Sequence, residues 1–233
     1  MKIKETYKTK EKIMNNSLTE EQVKVLNMSQ SVINEVRKVI IGKDEIIIKV
    51  LLSILAGGHI LIEDIPGVGK TTLAVALSKA LSLDYKRLQF TPDVLPTDVT
   101  GFTILNKETH KFEYKQGAAL TNLFLADEIN RTSSKTQSAL LEVMEEGKVT
   151  VDGITHKMPD PYIVIATQNP VGSIGTQMLP ESQMDRFIVR LTMGYPNIES
   201  EVAMLKSKQN LVPVDNVRPV VSAEDILQAR KVV

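Results

Sequence analysis

The stretch Glu63-Asp64-Ile65-Pro66-Gly67-Val68-Gly69-Lys70-Thr71-Thr72 gathers two glycines, a lysine and two hydroxyls in one short run. These residue types suit a highly charged anion. Gly67 and Gly69 let backbone amides close round phosphate oxygens, and a helix starting there aims its positive end at them. Lys70 adds a point charge, and the Thr71 hydroxyl suits a hard divalent cation. Further on, the apolar run Leu123-Phe124-Leu125-Ala126 ends in Asp127-Glu128. Paired carboxylates can divide the work of phosphoryl transfer: Asp127 holds Mg²⁺, and Glu128 polarises an attacking water. Asn169 ends a third apolar run, Tyr162 to Thr167, where an amide would reach a phosphate or that water from the other side. Arg186 follows Leu179 to Asp185, at a helix-to-strand boundary. Each has a plainer reading beside it. These are an incidental Lys-Thr after a glycine turn, a surface acidic turn, a turn-forming Asn before Pro170, and a surface salt bridge.

The elements that must position these residues are legible from periodicity. Thr19 with Gln22 forms a capping-box signature, and Val23, Leu26, Ile33 and Val36 then recur at helical spacing, predicting a helix to about Val39. A nearly all-apolar helix over Asp44 to Ala56 follows, stopped by Gly57-Gly58. His59 to Ile62 reads as a buried strand, and Lys70 to Leu81 as a helix. Strands near Arg87 to Phe90, Leu123 to Ala126, Tyr162 to Thr167 and Arg186 to Leu191 come next, with a helix over Ser134 to Glu146. Strands alternating with helices predict a parallel sheet covered on both faces. The carboxyl ends of its strands open on one crevice, which brings Asp127 and Glu128 to the phosphate loop. That loop, with its strand before and helix after, resembles a Walker A motif, except that Asp64 stands where the general pattern has Gly.

Composition narrows the function. Twenty-eight Lys plus Arg against twenty-eight Asp plus Glu leave no net charge, and aromatics are only 4% with no Trp. A nucleic-acid track built on bulk charge and stacking finds little support there. Without cysteine there is no disulfide or thiolate metal site, and His59, His110 and His156 are scattered, so each is expected to be packed or solvated. No apolar run reaches the length of a membrane span, and the Lys-rich N-terminus lacks a signal-peptide core. A cytoplasmic protein is expected.

The four motifs in this order resemble an AAA+ ATPase, and the wording is nearer still to its MoxR branch. The resemblance rests on Gly58 through Thr72, Phe90 through Gly101, Leu125 through Arg131, Ala166 through Pro170, Leu179 through Phe187, and Gly194-Tyr195-Pro196. It extends over about residues 25 to 233, and members share the non-Gly start of the loop. It implies an α/β P-loop NTPase fold with a five-stranded parallel sheet in the order 5-1-4-3-2, helices on both faces, and the start of a helical lid. ATP or ADP and Mg²⁺ are the implied ligands. Gly67, Val68, Gly69, Lys70, Thr71 and Thr72 match Walker A, Asp127 and Glu128 match Walker B, and Asn169 matches sensor 1. Thr71 and Asp127 would hold the metal. Arg186 would be an arginine finger acting in trans in a ring, commonly a hexamer, and Ile41 lies where relatives cradle adenine. Arg131 is a further candidate for the subunit interface. Relatives work with von Willebrand factor A domain proteins.

The implied organisation is a flexible segment over 1–18, the nucleotide-binding core over 19–196, and the start of a truncated lid over 197–233. A helix over Glu199 to Gln209 and a second capping box at Ser222 and Asp225 belong to the last part. The chain stops at Val233 shortly after a new helix opens, before the second sensor a complete lid would carry. Two insertions interrupt the core: Thr91 to about Lys115, carrying Gly101, and Lys148 to Met158, where Asp152-Gly153 predicts a hairpin. In relatives such hairpins face a ring pore or a partner; a decorative surface loop is the alternative. The activity expected is Mg²⁺-dependent ATP hydrolysis by a chaperone-like assembly or remodelling motor. The competing readings are a non-catalytic, nucleotide-dependent ring scaffold and a nucleic-acid-dependent motor. Glu128 favours hydrolysis over a scaffold.

Overall fold

The computed structural model describes residues 18–65, 67–169, 179–194 and 213–233. The N-terminal segment, Pro66, Pro170, Tyr195-Pro196 and the helix expected over Glu199 to Gln209 lie outside the described residues. Helix α1 spans Glu20–Arg37 and opens with the expected capping box, in which Thr19 and Gln22 exchange side-chain and backbone bonds. Helix α2 (Asp44–Leu55) leads into β1 (His59–Glu63), and α3 (Lys70–Ala80) into β2 (Tyr85–Gln89). A short α4 (Pro96–Thr100) and the strands β3 (Gly101–Asn106) and β4 (Lys111–Gln116) precede β5 (Leu123–Asp127). After a 3₁₀ turn at Ile129–Arg131 come α5 (Ser134–Glu146), β6 (Lys148–Val151), β7 (Ile154–Lys157) and β8 (Ile163–Gln168). The one-turn α6 (Glu181–Met184), β9 (Phe187–Leu191), a 3₁₀ turn at Val214–Asn216 and α7 (Ala223–Arg230) complete the described chain.

Five strands form one parallel sheet in the order β2-β5-β8-β1-β9. Numbered along the core alone, that order is the expected 5-1-4-3-2. The two central strands β5 and β8 are buried throughout, because helices cover both faces. Strand alternation divides the core accordingly. Ile60, Ile62, Leu123, Leu125, Ile163 and Ile165 pack with α1, α2, α3 and α7. Leu61, Phe124, Ala126, Val164 and Ala166 point the other way, onto α5. The odd-numbered positions of β5 and β8 therefore face α3 and the loop before it.

The second strand begins two residues earlier than the sequence pattern suggests, since Tyr85 to Gln89 pair in register with Leu123 to Asp127. The polar stretch after it holds the β3–β4 hairpin, which periodicity did not signal. Phe102, Leu105 and Phe112 are exposed, so no buried face imposes an alternation. Gly101 starts that hairpin at φ 91°, and a Cβ there would lie 2.4 Å from the Lys115 carbonyl. The β6–β7 hairpin turns at Asp152 and Gly153 with positive φ at both, as an Asp-Gly pair favours. The two hairpins touch where Tyr114 and His156 stack, with ring centroids 3.8 Å apart. No helix among the described residues is long and apolar enough to cross a membrane.

His59 is packed, not ligating. Its Nδ1 accepts the Val164 amide at 3.0 Å, so Nε2 carries the proton and donates to the Met144 carbonyl at 3.1 Å. Burial holds its pKa below the ordinary 6.5, against the opposing pull of the Met144 bond. As pH falls through 6.5 the unfolded chain therefore takes up the proton first, and stability is lost on acidification. His59→Gln should flatten the slope of unfolding free energy against pH below 6.5, measured by urea denaturation. An unchanged slope would show that other groups set it.

Candidate functional site

The loop between β1 and α3 is shaped by two left-handed glycines, Gly67 at φ 88° and Gly69 at φ 96°, with Gly69 serving as the N-cap of α3. A side chain at either would be strained. Lys70, the first residue of α3, is buried and turns back to donate to the Asp64 carbonyl at 2.7 Å and the Ile65 carbonyl at 3.2 Å. Burial lowers the Lys70 pKa, and the charges of Asp127, Asp64 and Glu128 oppose that shift. An ammonium held on loop carbonyls among carboxylates can exchange those partners for phosphate oxygens.

Asp64 has a defined task at the position where the general loop has Gly. Its Oδ1 accepts the Ile65 amide at 2.8 Å and its Oδ2 accepts the Gly194 amide at 2.6 Å. Lys43 braces the same place, donating to the carbonyls of Met193 and Gly194 at 2.7 and 2.9 Å. The phosphate loop is thus tied to the chain leaving β9.

The acid pair sits at the carboxyl end of β5. Asp127 is at an odd position and so faces α3. Arg87 of β2 donates to its Oδ2 at 2.7 Å through Nη2 and at 3.2 Å through Nε, and the Thr167 hydroxyl of β8 donates to its Oδ1 at 2.6 Å. Glu128 adopts a left-handed backbone, φ 59° and ψ 47°. Its Oε2 takes Arg131 at 2.8 Å and its Oε1 takes the Asn169 amide at 3.3 Å. Burial raises the Glu128 carboxyl pKa, but hydrogen bonds from Arg131, Asn169 and Gln89, with the Arg131 charge, outweigh it. The net shift is downward, which keeps Glu128 ionised at neutral pH. Asn169 is fixed by Asn130, which accepts its backbone amide at 3.2 Å and donates to its carbonyl at 3.1 Å. Its Oδ1 is buried and has no partner among the described residues.

Gly67, Gly69, Lys70, Thr71, Thr72, Asp127 and Glu128 line one cavity of about 340 Å³, together with Arg87 and Gln89. That is within the range of small-molecule sites. Its polar wall combines loop amides, an ammonium and two carboxylates, which can hold a polyphosphate and orient a water beside it. Asn169 borders it through Glu128. Val68 instead packs against the core beneath. Ile41 is outside this cavity, half-buried beside the core residue Ile40. Arg186 is elsewhere, on the surface, paired with Glu145 at 2.7 Å and bonded to the Ser182 carbonyl at 3.2 Å. Arg87, Gln89 and Thr167 were not singled out in the sequence. The available signal was polar residues closing β2 and β8 at the sheet end where Asp127 closes β5.

The sequence profile of the ATPase family associated with various cellular activities (AAA) matches residues 59–189, more than half of the chain. The chain is 52% identical over 195 residues to the uncharacterized protein YeaC of Bacillus subtilis, covering 84% of this chain and 61% of that protein. It is 38% identical over 198 residues to the chaperone MoxR1 of Mycobacterium tuberculosis, covering 85% of this chain and 52% of that one. Among solved structures, that of a candidate ATPase from Cytophaga hutchinsonii superposes with a TM-score of 0.81 at 42% identity, covering 91% of this chain and 64% of the other. The chain belongs to the AAA family of ATPases, as a member of the MoxR type. It spans about half to three fifths of the length of the curated relatives it matches.

The Asp64 bonds give a stability prediction. Asp64→Ala leaves the half-buried amides of Ile65 and Gly194 without this partner and should cost about 1–2 kcal/mol in urea unfolding. Asp64→Asn keeps a carbonyl oxygen and should lose less. Equal stability of the alanine variant would show that the loop has other holds.

Proposed function

We propose that the protein binds ATP with Mg²⁺ and hydrolyses it, and that turnover drives a chaperone-like assembly or remodelling motor. The convergence of Lys70, Asp127 and Glu128 with the glycine loop on one cavity carries this reading. Loop amides and Lys70 bind the β- and γ-phosphates, and Glu128 orients the attacking water with Asn169 beside it. The Thr71 hydroxyl and the Asp127 carboxylate line the same cavity, and this all-oxygen pair fits Mg²⁺. Bound there, the ion supplies neutralisation of the phosphate charge. MoxR1 bears the name of a chaperone, which supports the remodelling role.

The remaining features belong to the same proposal. Residues 213–233, which pack α7 against α2, are the start of a helical lid over a core that ends near residue 196. Subunits assemble into a ring, a hexamer, in which Ile41 contacts adenine and Arg186 leaves Glu145 to reach a neighbour's γ-phosphate. Exposed Phe112 and Ile154 on the two hairpins give the ring an apolar surface for a client or a von Willebrand factor A domain partner in the cytoplasm.

Two variants separate binding from chemistry. Lys70→Ala should lower ATP affinity severalfold or more by calorimetry with the fold intact, and unchanged affinity would sink the assignment of the loop. Glu128→Gln should keep ATP binding and lose about 10² or more in turnover. Equal loss of both would make Glu128 structural.

Assembly is tested by complementation at full length. Arg186→Ala should lower turnover by about 10³ or more. Mixing it with Lys70→Ala should restore part of the activity, because mixed interfaces pair an intact Arg186 with an intact Lys70. A mixture no more active than its parts would return Arg186 to its local pair with Glu145.

A further inference from the structure

In a strand, neighbouring side chains point to opposite faces, so Asp127 and Glu128 could not both reach the cavity if β5 simply continued. The left-handed turn at Glu128 breaks the alternation and returns its side chain to the side of Asp127. That conformation is costly for a residue with a Cβ and persists only where the surroundings hold it. It also carries the Glu128 amide away from the strand ladder, whose pairing between β5 and β8 ends at Ala126 and Ala166.

One side chain meets both requirements. Thr167 is the next residue along β8, on the same face as Asp127, and it is fully buried. Its Oγ1 accepts the Glu128 amide at 2.8 Å and donates to Asp127 Oδ1 at 2.6 Å. The direction of each bond is fixed by chemistry, because an amide can only donate and an ionised carboxylate can only accept. A hydroxyl is the small group that does both at once.

We propose that Thr167 is the positioning residue of the acid pair: its single hydroxyl sets the orientation of the Asp127 carboxylate and holds Glu128 in the left-handed turn that brings it into the cavity. It is not among the residues that line the cavity and acts through the two carboxylates. This rests on the hydrolytic reading above, with Asp127 and Glu128 as its working carboxylates.

The test compares Thr167→Val, which keeps shape without the hydroxyl, with Thr167→Ser, which keeps the hydroxyl without the methyl. Thr167→Ala, lacking both, is the control against Ser if the Val chain does not fold. Two measurements are made on the full-length protein: exchange of the Glu128 amide proton with solvent, and ATP turnover alongside ATP affinity. Val and Ala should each speed exchange of that amide about tenfold. They should also lower kcat about 10- to 100-fold, as small misplacements of reacting groups do, with ATP affinity within about threefold of wild type. Ser should restore protection, and kcat to within about threefold of wild type. Unchanged exchange in Val and Ala, unchanged kcat despite faster exchange, or Ser as impaired as Ala would each overturn the proposal. A wild type without ATPase activity would instead defeat the hydrolytic reading, and the exchange data would still decide whether Thr167 sets the turn.

Discussion

The Asp127 carboxylate is gripped from both flanking strands, by Arg87 from β2 and by Thr167 from β8. This is possible only because β5 runs between those two strands and all three end at the same level. The site depends on that alignment. A parallel sheet buried on both faces sets the register through its apolar residues, and the register then delivers Arg87, Asp127 and Thr167 to one edge without any long loop having to fold correctly. On β5 and β8 the chemistry is carried by the side chain one step past the last apolar residue, and on β2 by Arg87, which reaches along the strand from beside Leu125.

The charges at this edge balance each other. Lys70 lies buried among Asp64, Asp127 and Glu128, while Arg87 and Arg131 each take one carboxylate of the acid pair. Arg87 and Arg131 are part-exposed, so solvent screens these pairs and each contributes modestly to stability. Under the proposed function, a polyphosphate would meet a site already compensated internally. Binding therefore exchanges ionic partners more than it creates new ones.

Much of this was legible in the sequence. The loop from Glu63 to Thr72, the Asp127-Glu128 pair and Asn169 each close an apolar run, and strand burial makes such runs conspicuous. The capping boxes at Thr19 and Ser222 have a fixed three-residue spacing and are equally visible. Arg87 and Thr167 were not visible, because their roles depend on which strand lies beside which, and register is a tertiary property. The β3–β4 hairpin escaped for a different reason: its apolar side chains face outward, so the period that reveals a half-buried strand is absent. Arg186 lies at the helix-to-strand boundary just before β9, as the pattern predicts, but its partner Glu145 lies on α5, a pairing no local spacing encodes.

The two oxygens of Asp64 act on opposite sides of the molecule's sequence. One orders the loop at Ile65; the other holds Gly194, more than a hundred residues later. With a glycine at this position, as in the general loop, these two regions could shift independently. Here both are bonded to one rigid carboxyl group. The loop at Ile65 and the backbone at Gly194 thereby share one anchoring group. The non-glycine start of the loop is a mechanical linkage.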